Sequence, residues 1–154
     1  MVVSFDEFVK RHSLLGAALP DHLCYKCASH ESYEAVRALL EGESIYLYQS
    51  IISKRRISII KLEQGIDTVL GKIFYVELSD QKPDNSQEEG FDHIEVYPTA
   101  QSYDEMVSGL GQTELVIKVE RPHHTTHDIE MAGGYIFRCT REPLIEKIKR
   151  AEIA

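Results

Sequence analysis

Apolar residues recur along the first half of the chain in the order strand, helix, strand, strand, strand. A short strand over 22–27 is followed by a helix that carries Tyr33, Val36 and Leu40 on one stripe. Three segments rich in β-branched and aromatic residues come next, as is typical of strands; they cover 44–48, 56–62 and 72–78. The pattern predicts a βαβββ unit in the first half.

The second half repeats this order of elements. A strand is predicted over 91–97, and Ser102 with Glu105 forms a capping box for a helix that ends near Gly111. Three further strands are predicted in the remaining segments, which cover 114–119, about 128–131, and 135–139. The sequence therefore predicts a second βαβββ unit.

Comparison of the chain with itself supports this duplication. The motif Asp21–Leu23 recurs as Asp92–Ile94, 71 residues later, and Ser32–Glu34 recurs as Ser102–Asp104 at an offset of 70. Two matches with nearly the same offset are less likely to arise by chance than either match alone. We therefore expect an α+β fold of two βαβββ modules with a curved mixed sheet. The expected modules cover 18–80 and 91–139.

Two helices are predicted outside the repeat. Ser4 and Glu7 suggest a capping box in an amphipathic N-terminal helix over 4–15. A C-terminal helix is predicted over 140–152, and the polar, turn-rich segment 79–90 is the natural linker between the modules.

Length and composition narrow the class of protein. The 154 residues suit one domain over 1–154, and no apolar run approaches the ~20 residues that span a bilayer. A net charge of -8 disfavours nucleic acid as a partner. Without a targeting pattern, the expected location is cytoplasmic. The sequence leaves the oligomeric state open, a homodimer included.

The three cysteines do not suggest a disulfide framework, because their number is odd. Cys24 and Cys27 form a CxxC motif, but the chain has no second one. Residues i and i+3 of a strand point to opposite faces, which argues against a zinc ribbon. We expect both to be small buried side chains.

The repeated histidines are the main candidates for chemistry. His22 and His93 occupy matching positions, and imidazole is a common ligand for divalent Zn, Fe, Mn and Ni. Glu77, in the last strand of the first half, is the candidate third ligand. Glu95 lies two residues after His93 on the same strand face, so it is an alternative ligand and a candidate catalytic group. A repeat can also preserve a packing residue twice, so core histidines are the alternative interpretation.

Two further features could act on a substrate. The cluster of His123, His124 and His127 could supply a proton-transfer group, for which His127 is the candidate, or it could be a polar loop. Arg138 lies in the strand that corresponds to the strand of Glu77, and it could bind an anionic group of a substrate.

Four segments resemble the YecM-like proteins in their order and spacing, and the resemblance covers most of the chain. These segments are Asp21–Cys27, Ile57–Leu62, Val76–Leu78 and Gly90–Val96. The resemblance implies membership of the vicinal oxygen chelate superfamily, which includes glyoxalase I, extradiol dioxygenases and bleomycin-resistance proteins. Its implied fold is paired βαβββ modules, in agreement with the internal repeat.

The resemblance also implies a site. Enzymes of the superfamily bind a divalent metal through residues of the first and last strands of each module, which resembles the placement of His22, His93 and Glu77. The last strand of the second module departs from this pattern, because 137–139 contains no carboxylate or histidine. The implied reactions include isomerisation, ring cleavage and thiol addition, while other members only sequester ligands.

The sequence thus favours a divalent-metal-binding protein that acts on a small oxygenated, anionic molecule in a cleft between the modules. As an enzyme it would be a lyase, an isomerase or a dioxygenase. The alternative is a non-catalytic ligand-binding or structural domain in which His22 and His93 are core residues.

Overall fold

The computed structural model describes residues 1–122 and 124–153 of the chain. Four helices and eight strands occupy these residues. In chain order they are α1 (Val2–Arg11), β1 (Ala18–Lys26), α2 (His30–Glu41), β2 (Ser44–Ile52), β3 (Arg55–Thr68), β4 (Gly71–Ser79), β5 (Gly90–Pro98), α3 (Tyr103–Leu110), β6 (Ile117–Arg121), β7 (His124–Glu130), β8 (Ile136–Cys139) and α4 (Leu144–Ile153).

The two modules have the same strand order. The first module runs β2-β3-β4-β1 and the second runs β6-β7-β8-β5. The pairs β2–β3 and β6–β7 are antiparallel. The pairs β1–β4 and β5–β8, which join the first and last strands of each module, are parallel. This confirms the predicted α+β fold of two βαβββ modules with mixed sheet.

The chain forms two compact units whose boundaries fall close to the modules. The larger unit contains Met1–Asp21, Thr68–Gly71 and the residues from His93 onward, and so combines α1, most of the second module and α4. The smaller unit contains His22–Asp67 and Lys72–Asp92, which make up most of the first module.

Aromatic packing forms the core of the larger unit. Phe137 of β8 is fully buried, and its ring centroid lies 4.6 Å from that of Phe8 and 5.8 Å from that of Phe5, both in α1. Because strand side chains alternate between faces, Phe137 turns towards α1 and the neighbouring Arg138 turns to the other face of the sheet. α1 therefore covers one face of the sheet at β8.

The predicted boundaries of α1 were wrong at both ends. The helix begins at Val2 with no side-chain cap, so Ser4 and Glu7 do not form the expected capping box. It ends at Arg11 because Ser13 has a φ of 55°, a left-handed conformation that stops a helix.

Among the described residues, no helix has both the length and the apolar character needed to cross a membrane.

The starts of the last two helices are tied by side chains. In α3 the predicted capping box is confirmed, since Ser102 Oγ accepts from Glu105 N at 3.1 Å and the Glu105 carboxylate accepts from Ser102 N at 2.9 Å. At the start of α4, the Leu144 backbone N–H donates to Asp21 Oδ2 at 3.0 Å. A distant strand residue therefore fixes the first turn of α4.

The segment between β4 and β5 is held by its own side chains. The Gln87 amide is buried and donates to the backbone carbonyls of Cys27, Ser79 and Asp80 at 2.8, 3.2 and 3.0 Å. These bonds satisfy carbonyls at the ends of β1 and β4, and so they tie the linker to the smaller unit.

Candidate functional site

One cluster of polar side chains lies in the first module, and we call His22, Cys24 and Glu77 the first-module cluster. Cys24 of β1 is directly opposite Glu77 of β4 in the parallel register. His22 precedes Cys24 by two residues and shares its strand face. The His22 side chain is 1% exposed, and its Nε2 lies 3.5 Å from Glu77 Oε2. Two of the residues that the sequence predicted as metal ligands therefore lie close together in this module, and their metal-binding role stays a prediction.

The thiol of Cys24 completes this cluster but stays protonated. Its Sγ donates to Glu77 Oε1 at 3.4 Å. Burial, followed by the negative charge of Glu77, raises the pKa of Cys24 well above its ordinary value. Cys27 is also a free buried thiol, and burial raises its pKa to about 11. At neutral pH the donors of the cluster are therefore an imidazole and a carboxylate.

A larger polar cluster lies on one face of the second module. Its members are carried by β5, β7 and β8, and we call them the second-module cluster: His93, Glu95, His124, Asp128 and Arg138. In the parallel register of β5 and β8, Glu95 is opposite Arg138. His93 and Glu95 are 2% and 3% exposed. Buried ionisable groups of this kind are concentrated at functional sites, which makes the cluster a candidate.

Arg138 is anchored by a carboxylate from the neighbouring strand. Its Nε and Nη2 donate to the two oxygens of Asp128 at 2.9 and 2.8 Å, and the two residues are opposite each other in the β7–β8 register. This is the bidentate geometry that fits a guanidinium to a carboxylate. Asp128 is therefore a carboxylate partner of Arg138.

The same guanidinium also contacts the ring of His93. Arg138 Nη1 lies 3.2 Å from Nδ1 and 3.2 Å from Nε2 of the imidazole. An atom equally close to both ring nitrogens would collide with the carbon between them if it lay in the ring plane. Nη1 therefore lies over the ring face of His93.

Glu95 has a histidine and a lysine in its surroundings. Its Oε1 lies 3.4 Å from Nε2 of His124, and Nδ1 of His124 lies 2.9 Å from Nζ of Lys147 in α4. Burial lowers the pKa of Lys147, while the negative charge of Glu95 acts in the opposite direction. A buried carboxylate, an imidazole and an ammonium thus form one row within the larger unit.

The structure brings His124, and not His127, to this cluster. His124 and His127 are three residues apart in β7, so their side chains point to opposite faces of the sheet. Nδ1 of His127 lies 2.7 Å from the hydroxyl of Tyr103 in α3. That hydroxyl also donates to the backbone carbonyl of Cys139 at 3.0 Å. His127 is therefore on the helical face of the sheet, and its catalytic role stays a prediction. His123 lies outside the described residues.

Sequence reasoning did not identify three members of this region. They are Asp128, Lys147 and, as a neighbour of Glu95, His124. The predicted strand began at about 128, whereas β7 begins at His124. With the observed start, alternation assigns His124, Thr126 and Asp128 to one face, which is the signal that could have found them. The placement of Lys147 had no such local signal.

The comparisons with known proteins agree with the resemblance. The family model described as YecM protein matches residues 4–132. A solved structure described as Structural Genomics, Protein EC4020, has a TM-score of 0.74 at 21% identity, covering 98% of this chain and 86% of that one. No curated protein sequence matches the chain.

Two more distant structures share the fold. Methylmalonyl-CoA epimerase in complex with methylmalonyl-CoA and NH4+ has a TM-score of 0.51 at 15% identity and covers 84% of this chain and 97% of that one. A protein described as a putative dioxygenase from Bacillus subtilis subsp. subtilis str. 168 has a TM-score of 0.50 at 10% identity and covers 83% of this chain and 43% of that one. With its two βαβββ modules and its family match over most of its length, the chain belongs to the YecM family and has the vicinal oxygen chelate fold.

Proposed function

We propose that this protein binds a divalent metal ion through His22, Glu77 and His93, and acts on a small oxygenated, anionic molecule. The observation that carries the proposal is the recurrence of a nearly fully buried histidine at the same position of both modules, each with a carboxylate close to it. In the first module the carboxylate is Glu77, 3.5 Å from His22. In the second it is Glu95, two residues after His93 on the same strand face.

The donor atoms of His22, Glu77 and His93 fit a divalent ion of a first-row transition metal, zinc included. Imidazole and carboxylate groups suit Zn, Fe, Mn and Ni. The position of His93 is held by a contact with Arg138, whose Nη1 lies 3.2 Å from both ring nitrogens. A bound ion would act as a Lewis acid towards oxygen atoms of the substrate.

The other residues of the second-module cluster suit binding and proton transfer. Asp128 occupies two of the five N–H donors of Arg138, and the guanidinium keeps its positive charge on the face that carries His93. An anionic group of the substrate would be oriented by this charge. The carboxylate of Glu95 would accept or return a proton.

One fold relative supports the class of ligand. Methylmalonyl-CoA epimerase holds methylmalonyl-CoA in its solved structure, and we extend to this chain only the class, an oxygenated anionic molecule. The reaction types in keeping with the fold are isomerisation, lyase chemistry and dioxygenation. Without turnover, the same residues would serve a ligand-binding protein.

Metal analysis of the protein purified without a histidine tag tests the proposal. We expect about one divalent ion per chain in the wild type, and affinity for added Zn²⁺ or Mn²⁺ at least about 100-fold weaker in His22→Gln and His93→Gln. Glu77→Gln should weaken binding about tenfold or more. The matched control is His30→Gln, because His30 also pairs with a carboxylate, Asp80 at 2.7 Å, but lies outside both clusters.

The outcomes separate the functional interpretation from the structural one. Retained folding by circular dichroism together with lost metal binding in both cluster variants supports the metal site. If the wild type binds neither ion, or if His30→Gln weakens binding as strongly as His22→Gln, the proposal is wrong. The histidines are then core residues, and their replacement should change only the free energy of unfolding.

A further inference from the structure

Lys147 contacts the ring nitrogen of His124 that faces away from Glu95. Its Nζ lies 2.9 Å from Nδ1 of His124 and 3.2 Å from the hydroxyl of Thr140. The position of this lysine follows from the start of α4, which Asp21 fixes at Leu144, one helical turn earlier. The contact is therefore built by the fold rather than by a mobile surface chain.

The chemistry of the two groups determines where the proton of the neutral imidazole lies. An ammonium group has only donors, so Nδ1 of His124 must be the acceptor. A neutral imidazole that accepts at Nδ1 carries its proton on Nε2. Nε2 is the atom that lies 3.4 Å from Oε1 of Glu95.

We propose that Lys147 is a positioning residue that fixes the Nε2–H tautomer of His124, so that His124 presents an N–H donor to Glu95 and orients its carboxylate. This inference rests on the proposed role of Glu95 in proton transfer. Donation to Oε1 leaves the second oxygen to exchange a proton with the substrate. At 3.4 Å the contact is longer than a normal hydrogen bond, as is common at catalytic sites without substrate.

Burial lowers the pKa of Lys147 overall, and three carboxylates act against this lowering. The carboxylates of Glu95, Glu142 and Asp21 all act to raise its pKa, against the lowering by burial and by Arg150. Glu142 and Arg150 belong to the region of α4, so the negative charge comes from three different parts of the larger unit.

His127 supplies an internal comparison within the same strand. The hydroxyl of Tyr103 donates to the backbone carbonyl of Cys139, so its oxygen accepts from Nδ1 of His127. His127 should therefore be the Nδ1–H tautomer, opposite to His124. Replacement of Lys147 should leave it unchanged.

Nitrogen-15 NMR of the imidazole rings in metal-free protein at about pH 8, above the ordinary imidazole range, measures both tautomers. We expect His124 to be mainly Nε2–H in the wild type and in Lys147→Arg, which keeps a donor. In Lys147→Met the ratio of the two tautomers should fall about tenfold, equivalent to about 1.4 kcal/mol. His127 should keep its Nδ1–H signature in all three proteins.

The orientation of Glu95 is read from the carbon-13 resonance of its carboxyl group. We expect this resonance to move in His124→Phe and to return towards the wild-type position in His124→Gln, whose amide N–H replaces the Nε2–H donor. A merely structural role would not be rescued in this way. The inference is overturned if wild-type His124 is mainly Nδ1–H, if Lys147→Met leaves its tautomer ratio unchanged, or if His124→Gln resembles His124→Phe. Because the measurements need no metal, failure of metal binding would overturn the proposed function alone.

Discussion

The two modules share one strand order, yet one register position carries opposite charges in them. In the first module, Glu77 is opposite Cys24, two residues after His22. In the second, Arg138 is opposite Glu95, two residues after His93. The histidine of the first module therefore has an anion from the last strand beside it, whereas the histidine of the second has a cation.

This difference changes what each cluster needs from its surroundings. Glu77 accepts a hydrogen bond from the thiol of Cys24 and lies 3.5 Å from Nε2 of His22, and both of these residues belong to the first strand of its own module. Arg138 needs a counter-charge in a buried place, and β7 supplies it as Asp128. An internal repeat thus preserves backbone positions, while the partners of the side chains are chosen anew in each copy.

The repeated aspartates show the same separation of position and role. Asp21 accepts from the backbone N–H of Leu144 and so begins α4. Asp92, its counterpart, forms an ion pair with Lys26 at 2.6 Å. The Asp-His motif therefore recurs for two structural reasons that differ between the copies.

Replacing the residue at the shared register position should give the largest contrast between the modules. Arg138→Met leaves the carboxylate of Asp128 partly buried without its counter-charge, and we expect a loss of about 3 kcal/mol in the free energy of unfolding. Glu77→Gln keeps the shape and a hydrogen-bonding group, so it should cost about 1 kcal/mol or less. Urea denaturation measures both losses.

The double variant Asp128→Asn with Arg138→Met is the control for this comparison. It should be more stable than Arg138→Met alone, because the uncompensated charge is gone. Equal losses for Arg138→Met and Glu77→Gln would show that the Arg138–Asp128 pair has no special weight.

Making the second module resemble the first should strengthen metal binding, if the proposed site exists. Arg138→Glu combined with Asp128→Asn puts a carboxylate at the position that corresponds to Glu77, without like-charge repulsion. The control is the variant with Arg138→Gln and Asp128→Asn. We expect the affinity for Zn²⁺, measured by isothermal titration calorimetry, to be about tenfold higher with Glu at position 138 than in this control. Identical affinities in the two variants would mean that this position does not reach the ion.

The two repeated aspartates should differ in their contribution to stability. Asp21→Ala removes the acceptor at the start of α4 and should cost about 1 kcal/mol or slightly more. Asp92→Ala removes a partly exposed ion pair with Lys26 and should cost about 0.5 kcal/mol. Thermal unfolding of both variants checks the order, and a larger loss for Asp92→Ala would contradict the structural assignment of Asp21.

The smallest expected effect concerns pH and His127 of β7. Burial, followed by the positive charge of Lys118, lowers the pKa of His127. As the pH falls, His127 takes up a proton in the unfolded state before it does so in the folded state. The contribution of His127 should therefore lower the free energy of unfolding of the protein below about pH 6.5. Between about pH 7.5 and about pH 5, the wild type should lose more stability than His127→Gln.

Lys118→Gln is the matched control for this pH dependence. It removes one of the causes of the lowered pKa and keeps His127, so its loss should fall between those of the wild type and His127→Gln. A loss in His127→Gln as steep as that of the wild type would show that other groups produce the pH dependence.

The sequence by itself determined the repeated βαβββ pattern and the elements that carry the candidate residues. Apolar periodicity, turn residues and the capping box of Ser102 and Glu105 act over a few residues, so they can be read locally. The offset of the repeat also placed His22 and His93 at corresponding strand positions. Glu77 was also identified as a ligand candidate in the last strand of the first module, and it lies 3.5 Å from His22.

The tertiary structure alone decided which side chains surround Glu95 and Arg138. A strand reverses its two faces when its position shifts by one residue, so the choice between His124 and His127 required the true pairing of β7 with β8. Lys147 reaches His124 only because Asp21, 123 residues before Leu144, begins α4 at that place. Contacts of this range depend on the complete packing of the chain, and no local pattern of apolar and polar residues encodes them.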